Sequence, residues 1–177
     1  MGALFRERGA YGRACEVEPE RLAGRGVHAL VLDFDGVLAN HGETEPNPGC
    51  KTWLTRCIKV FGPENVYILT NKPTPARIGY FQAAFPGMRL ISGVRKKPYP
   101  DGLKRACELS GVKPQSAALL DDRLMTGGLA AILAGTRFIY VSKPYIDISR
   151  RPVKELFFMA VRLAEKLFIR INCAFFC

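Results

Sequence analysis

Two carboxylates lie two positions apart directly after a short apolar run. Asp33 and Asp35 follow residues 29–32, which predict a buried strand, so both acids are placed at its carboxyl end. Two like charges this close need a counter-ion. A hard divalent cation such as Mg²⁺ suits them, because it binds one or two carboxylates together with water and substrate phosphate. The spacing therefore predicts a catalytic site at the end of this strand.

Thr70, Asn71 and Lys97 follow two later apolar runs. A hydroxyl and an amide can hydrogen-bond a phosphoryl oxygen, although Thr70 could instead cap the next helix and Asn71 could form a turn. A lysine ammonium binds phosphate as a compact point charge and offsets nearby carboxylates, although this basic stretch could also be a solvated loop. These groups predict a phosphate-binding site only if the fold brings them together.

Asp121 and Asp122 end a further apolar run at residues 118–120, and one of them could complete a metal site. One acidic strand end is ordinary in itself. Four polar signals in sequence, each at the end of a predicted strand, favour a single shared site.

The alternation of short apolar runs with helical patterns predicts the elements that would position these groups. The predicted strands are 29–33, 66–70, 88–92, 117–121 and 137–142, and the predicted helices are near 49–60, 74–84, 100–109 and 124–134. Such alternation is typical of an α/β fold in which helices cover a parallel sheet. The carboxyl ends of parallel strands share one edge, so the polar groups are expected to converge there.

Several side chains between the first two predicted strands are given no catalytic role. Trp53 and Phe61 are predicted to lie in the core of the domain. The polar residues that follow the first acidic pair could flank the substrate entrance, but a solvated loop is the preferred interpretation and no role is assigned to them: His41, Glu43 and Glu45.

Composition indicates one ordinary domain. The 177 residues are 48% hydrophobic and 24% charged, and no apolar run is long enough to cross a bilayer. The net charge of +10 would attract phosphorylated, nucleic-acid or anionic-membrane partners without choosing among them.

The six cysteines form no C-x-x-C pair and the two histidines do not cluster, which disfavours a zinc site. Without a recognisable signal peptide, we expect a cytoplasmic protein.

Three segments follow from these patterns. Residues 1–27 are predicted to be an irregular or partly helical lead-in, 28–145 the core, and 146–177 a basic amphipathic helix with an aromatic tail. The helical pattern, from Pro152 to about Cys173, has one broad apolar face. That face could pack on the sheet as a final crossover helix, or it could bind an anionic membrane peripherally.

The motifs resemble those of haloacid dehalogenase superfamily phosphatases over roughly residues 28–145. The resemblance implies a three-layer α/β/α Rossmann-like fold with a five-stranded parallel sheet. The short intervals from Asp35 to Thr70 and from Thr70 to Lys97 leave no room for a large cap domain, so we expect an open site.

The same resemblance implies a role for each motif. Asp33 would attack phosphorus to form an aspartyl-phosphate, and Asp35 would act as acid and then as base. The implied phosphate-binding residues are Thr70, Asn71 and Lys97, and the implied Mg²⁺ ligands are Asp33, the backbone carbonyl of Asp35 and Asp122, with Asp121 as a further candidate.

Within the superfamily, the chain is most similar to subfamily IIIA and its YqeG-type group, which is related to phosphatidylglycerophosphate phosphatase. That group's fourth motif has the pattern Gly-Asp-Gln-Leu-x-Thr-Asp, whereas this chain begins the motif with Asp121 and ends it with Gly127. The loss of an acid at position 127 puts metal binding in question. Asp121 could compensate for it, and Arg123 could instead reach the substrate phosphate.

Three functions remain open from the sequence. The first is a Mg²⁺-dependent phosphomonoester hydrolase, with phosphatidylglycerophosphate as leading substrate because of the basic amphipathic tail. The second is a soluble phosphatase that acts on a sugar phosphate, a nucleotide or a phosphoprotein. The third is a degenerate protein of the same fold that binds RNA or acidic lipid. The absence of an aromatic-basic RNA motif disfavours nucleic acid.

Overall fold

The computed structural model describes residues 11–71 and 73–147, together with Val161 and Leu163. Its sheet has five parallel strands in the order β3-β2-β1-β4-β5. The strands are β1 (Ala29–Asp33), β2 (Val66–Leu69), β3 (Arg89–Ile91), β4 (Ala117–Asp121) and β5 (Arg137–Tyr140). The α-helices are α1 (Pro19–Gly24), α2 (Pro48–Phe61), α3 (Pro75–Ala84), α4 (Asp101–Ser110) and α5 (Leu129–Ala134).

Helices cover both faces of this sheet. Along β1, Leu30 and Leu32 pack into the cluster that includes α1, α2 and α3, whereas Ala29 and Val31 pack into the cluster with α4 and α5. Successive side chains of a strand point to opposite faces, so an uninterrupted apolar run is what a strand covered on both sides requires. The predicted three-layer α/β/α fold with a five-stranded parallel sheet is confirmed.

No inserted domain interrupts the crossovers between strands in the described residues. The connections from β1 to β2, from β2 to β3 and from β3 to β4 each carry one α-helix. The prediction that the fold lacks a large cap is confirmed for this part of the chain. Loops, rather than an inserted domain, lie at the carboxyl edge of the sheet.

Several predicted boundaries differ from the structure. Strand β3 is Arg89–Ile91 rather than 88–92, and β5 is Arg137–Tyr140 rather than 137–142. Strand β2 ends at Leu69 rather than 70, although the Thr70 amide still donates a hydrogen bond to the Ile91 carbonyl over 3.2 Å. The helix predicted over 124–134 begins as a π-helical turn at Leu124–Gly128, and α5 follows it. The Arg123 carbonyl accepts from the amides of both Gly127 and Gly128, which widens this turn.

The described part of the N-terminal lead-in packs on the same core. Tyr11 bridges Val141 beside β5, and the Trp53 indole donates a hydrogen bond to the Val17 carbonyl over 2.7 Å. Trp53 and Phe61 are buried, as predicted.

The helix predicted from Pro152 to about Cys173 lies outside the described residues, apart from Val161 and Leu163. Among the residues that are described, none of the helices combines the length and the apolar character that crossing a bilayer requires.

Candidate active site

Three aspartates meet at the carboxyl edge of the sheet. Strands β1 and β4 are hydrogen-bonded neighbours, so Asp33 at the end of one lies beside Asp121 and Asp122 at the end of the other. One carboxylate oxygen from each of the three lies within 4.8 Å of the others. Asp121 and Asp122 are fully buried, and the Asp33 side chain is 17% exposed. Clustered carboxylate oxygens are the donors that Mg²⁺ prefers, so these residues fit that ion.

Lys97 lies between two of these carboxylates. Its ammonium is 3.0 Å from Asp33 Oδ1 and forms a second ion pair with Asp121 Oδ2. Burial disfavours the charged ammonium, but the two carboxylates outweigh it and raise the pKa of Lys97 above its usual range. Lys97 is therefore positively charged at neutral pH and offsets the acids, as its residue type predicted.

Three acids at this edge face two cations, because Lys97 lies between Asp33 and Asp121 and the Arg123 guanidinium lies 3.9 Å from Asp122 Oδ1. Burial raises the pKa of Asp33 to about 6; the Lys97 charge lowers it and the Asp121 charge raises it further. Burial likewise raises the pKa of Asp121, against the opposing charge of Lys97. Because the acids carry excess negative charge, a divalent cation among them would be favourable.

Asp121 is held in place by hydrogen bonds to both of its oxygens. The Arg123 amide donates to Oδ1 over 2.9 Å, and Lys97 donates to Oδ2. Asp121 therefore anchors the lysine.

Gly127 packs directly against Asp121. A Cβ added at position 127 would lie 2.6 Å from Asp121 Cβ and closer still to its carboxyl group. No ordinary Cβ contact is that short. The carboxyl group at position 121 thus occupies the space that a side chain at position 127 would need. The glycine that departs from the YqeG-type pattern is therefore coupled to the aspartate that also departs from it.

Gly36 follows the first acidic pair in a backbone conformation that favours glycine. Its φ is +89°, and an added Cβ would lie 3.1 Å from Asp122 Oδ2. The turn after Asp35 can therefore approach Asp122 closely, which brings the ends of β1 and β4 together.

The Asp35 carboxylate does not join the acidic cluster. Its Oδ1 accepts a hydrogen bond from the Gly42 amide over 3.2 Å, and it forms an ion pair with Arg77. Arg77 Nη2 lies 3.2 Å from Oδ1, and Nη1 lies 3.4 Å from Oδ2. Two residues after Asp33, the second acid therefore has a different counter-ion.

Thr70 lies beside this pair. Its side chain is buried, and Arg77 Nη1 donates to its hydroxyl over 3.1 Å. The alternative in which Thr70 caps the next helix is wrong, because Thr74 is the residue whose hydroxyl accepts from the first turn of α3. Asn71 is exposed at the end of β2.

Arg77 is the residue of this site that sequence reasoning missed. It lies one helical turn before the buried Phe81, on the face of α3 that packs on the core. A charged residue at a core-facing position, in the first turn after a predicted phosphate-binding strand end, is the signal that could have found it.

The loop interpreted as solvated lies closer to the site than expected. His41 Nδ1 is 4.0 Å from Asp35 Oδ1, and His41 Nε2 is 3.5 Å from Arg123 Nη2. The Glu43 carbonyl accepts a hydrogen bond from Arg77 over 2.6 Å. Only Glu45, whose carboxylate pairs with Lys51 on the surface, matches the original interpretation.

Comparisons with known proteins identify the family and the fold. A family model described as a haloacid dehalogenase-like hydrolase matches residues 3–135. An uncharacterized protein from Listeria monocytogenes serotype 4b has a similar structure, with a TM-score of 0.56 and 12% identity over 70% of this chain and 84% of that one. An uncharacterized protein from Corynebacterium glutamicum gives a TM-score of 0.52 and 20% identity over 73% of this chain and 92% of that one. These two likenesses bear on the fold alone. No curated protein sequence matches the chain.

Proposed function

The chain belongs to the haloacid dehalogenase-like hydrolase family, and on this premise we propose that it is a Mg²⁺-dependent phosphomonoester hydrolase that forms an aspartyl-phosphate. The family supports the hydrolase. The observation that carries the phosphatase is the cluster in which Lys97 lies between Asp33 and Asp121, with Asp122 beside them. Its catalytic core is proposed to span residues 28–145.

In the first step, an Asp33 oxygen attacks phosphorus and the bond from phosphorus to the leaving oxygen breaks. Asp35 donates its proton to that oxygen, so the alcohol leaves neutral. The separation of the two carboxylates supports this division, since Asp33 lies among the acids while Asp35 faces Arg77 and the loop after β1.

In the second step, the Asp35 carboxylate takes a proton from water, and the water oxygen attacks phosphorus. The bond from phosphorus to Asp33 then breaks, which releases inorganic phosphate and restores both acids. One side chain can serve both steps because the first leaves it as the base that the second requires.

The remaining residues bind charge. Lys97 and Thr70 are proposed to hold phosphoryl oxygens, with Asn71 at the exposed rim of the site. Asp33, Asp122 and the Asp35 carbonyl would hold Mg²⁺, and Asp121 would hold Lys97. When bound, the ion reduces repulsion between the nucleophile and the anionic substrate.

For the substrate we propose a phosphorylated small molecule or lipid head group, with phosphatidylglycerophosphate first. The sequence motifs of the YqeG-type group and the basic amphipathic pattern of residues 146–177 support the lipid. Peripheral contact with an anionic membrane belongs to the same proposal. A sugar phosphate, nucleotide or phosphoprotein is the alternative, which an uncapped site would also admit.

Phosphate release from a panel of these substrates, with and without Mg²⁺, tests the proposal. Asp33→Asn should abolish turnover without loss of fold, because the amide cannot attack phosphorus. Glu20→Gln is the matched control, since Glu20 pairs with Arg56 on the surface and should leave the rate unchanged. An unchanged rate in Asp33→Asn would refute the mechanism, and no Mg²⁺ binding in calorimetry would favour the degenerate binding protein.

A further inference from the structure

Arg77 is a buried cation that contacts three parts of the site: the acid after β1, the end of β2 and the loop that follows β1. Its side chain is only 2% exposed. It donates to both Asp35 oxygens, to the Thr70 hydroxyl and to the Glu43 carbonyl. A buried guanidinium with this many directed hydrogen bonds has little freedom to move, so it fixes the groups that it contacts.

We propose that Arg77 is a positioning residue that aims the Asp35 carboxylate at the leaving oxygen of the phosphoryl group. This inference rests on the proposed function of the site and adds to it the group that aims the acid. Arg77 acts through Asp35, and its hydrogen bond to Thr70 helps to hold the guanidinium in place.

The Arg77 guanidinium packs against an aromatic ring of the core. The guanidinium carbon lies 3.8 Å from the centroid of Phe34, the residue between the two acids. Phe34 is fully buried and packs edge-on against Phe81 of α3. The guanidinium is therefore packed against the core at Phe34, the residue that precedes Asp35.

The two Asp35 oxygens are held unequally. Oδ1 accepts from the Gly42 amide and from Arg77 Nη2, whereas the one donor to Oδ2 among the described residues is Arg77 Nη1, at 3.4 Å. Oδ1 is thus the anchored oxygen. Oδ2 is left to carry the proton between leaving group, carboxyl and water.

The loop after β1 is fastened to the same cation. Arg77 Nη2 donates to the Glu43 carbonyl over 2.6 Å, and the Gly42 amide donates to Asp35. Substitution of Arg77 therefore releases Asp35 from its side-chain anchor and weakens the loop that provides its backbone anchor.

Arg77→Lys tests the proposal, because lysine keeps the charge and most of the stem but loses the two-pronged contact. Its kcat/KM should be compared for phenyl phosphate, whose leaving oxygen needs a proton, and p-nitrophenyl phosphate, whose leaving oxygen does not. We expect a loss of about 100-fold for the first and about threefold or less for the second, since misaimed acid catalysis affects only the first. Arg56→Lys, at a surface pair with Glu20, is the matched control and should change neither.

Two further measurements separate positioning from support of the fold. In an Asp35→Asn background, Arg77→Lys should cause less than about a threefold further loss, because the aimed acid is already gone. Arg77→Ala should regain rate on phenyl phosphate with added guanidinium chloride but not with sodium chloride at equal ionic strength.

Equal losses for both substrates in Arg77→Lys, or full multiplication of the two losses in the double variant, would overturn the positioning role while leaving the phosphatase intact. No Mg²⁺-dependent phosphate release by the wild-type chain on either ester would overturn the proposed function, and this inference with it.

Discussion

Gly127 offers the sharpest test of how the acidic cluster is built. Its backbone conformation is one that any residue adopts, so Gly127→Ala meets no backbone penalty and in a helical turn should gain slightly. The obstacle is Asp121, whose Cβ would lie 2.6 Å from the new methyl, with its carboxyl group closer still. Asp121 must move for the variant to fold.

The loss of folding free energy in Gly127→Ala can be worked out from the groups that must move. Forcing a methyl into a packed site costs about 1–3 kcal/mol. Displacing a fully buried carboxylate from Lys97 and the Arg123 amide breaks a buried ion pair, which costs about 3–5 kcal/mol. The sum, about 4–8 kcal/mol, is comparable with the whole stability of an ordinary domain, about 5–15 kcal/mol.

Urea unfolding of Gly127→Ala beside Gly128→Ala measures this cost. Gly128 is the matched control, because a Cβ there would make ordinary contacts, the nearest at 3.5 Å to Phe138. We expect Gly128→Ala to stay within about 0.5 kcal/mol of the wild type. In an Asp121→Gly background, Gly127→Ala should lose most of its penalty, since the clashing carboxyl group is absent. Equal free energies of unfolding for the two alanine variants, or additive costs in the double variant, would refute the reasoning.

Three further predictions concern the charges of the cluster. Mg²⁺ affinity in calorimetry should weaken about tenfold per pH unit below about 6, because the cation needs ionised Asp33 and burial raises that pKa to about 6; a flat profile would contradict it. Lys97→Met should lower the free energy of unfolding by about 3–5 kcal/mol in chelator, partly restored by Mg²⁺, whereas equal loss with and without the ion would argue against a metal at these acids. Asp121 and Gly127 both depart from the YqeG-type pattern, and the double variant Asp121→Gly with Gly127→Asp exchanges their residue types. It should retain the Mg²⁺ binding that Gly127→Asp alone loses. Loss of binding in both the double and the single variant would show that the two positions are not coupled.

Local sequence signals predicted most of the fold. The apolar runs gave all five strands to within one or two residues, because strands covered on both faces need uninterrupted apolar side chains. Parallel pairing then required Asp33, Lys97 and Asp122 to meet at one edge, and the structure brings them together.

The missing parts depend on tertiary contacts. The helix predicted from residue 124 opens as a π-helical turn, in which Gly127 packs against Asp121, and hydrophobic periodicity carries no signal for such a close approach. Arg77 was missed for a related reason: an arginine in a helix is ordinarily a solvated residue, and only the placement of α3 over Phe34 buries it.

The counter-ions explain why two acids so close in sequence can do different work. The spacing of Asp33 and Asp35 suggested one cation for both, yet Lys97 pairs with the first and Arg77 with the second. Lys97 also binds Asp121, so it holds Asp33, the proposed nucleophile, among acids where a metal would be favoured. Arg77 binds Thr70 and the Glu43 carbonyl, so it holds the second carboxylate away from that cluster. In the proposed mechanism the acid and base must exchange protons with the leaving oxygen and with water, which a carboxylate bound to a metal would do poorly. The separate cation on Asp35 keeps this carboxylate outside the proposed metal site, as that role requires.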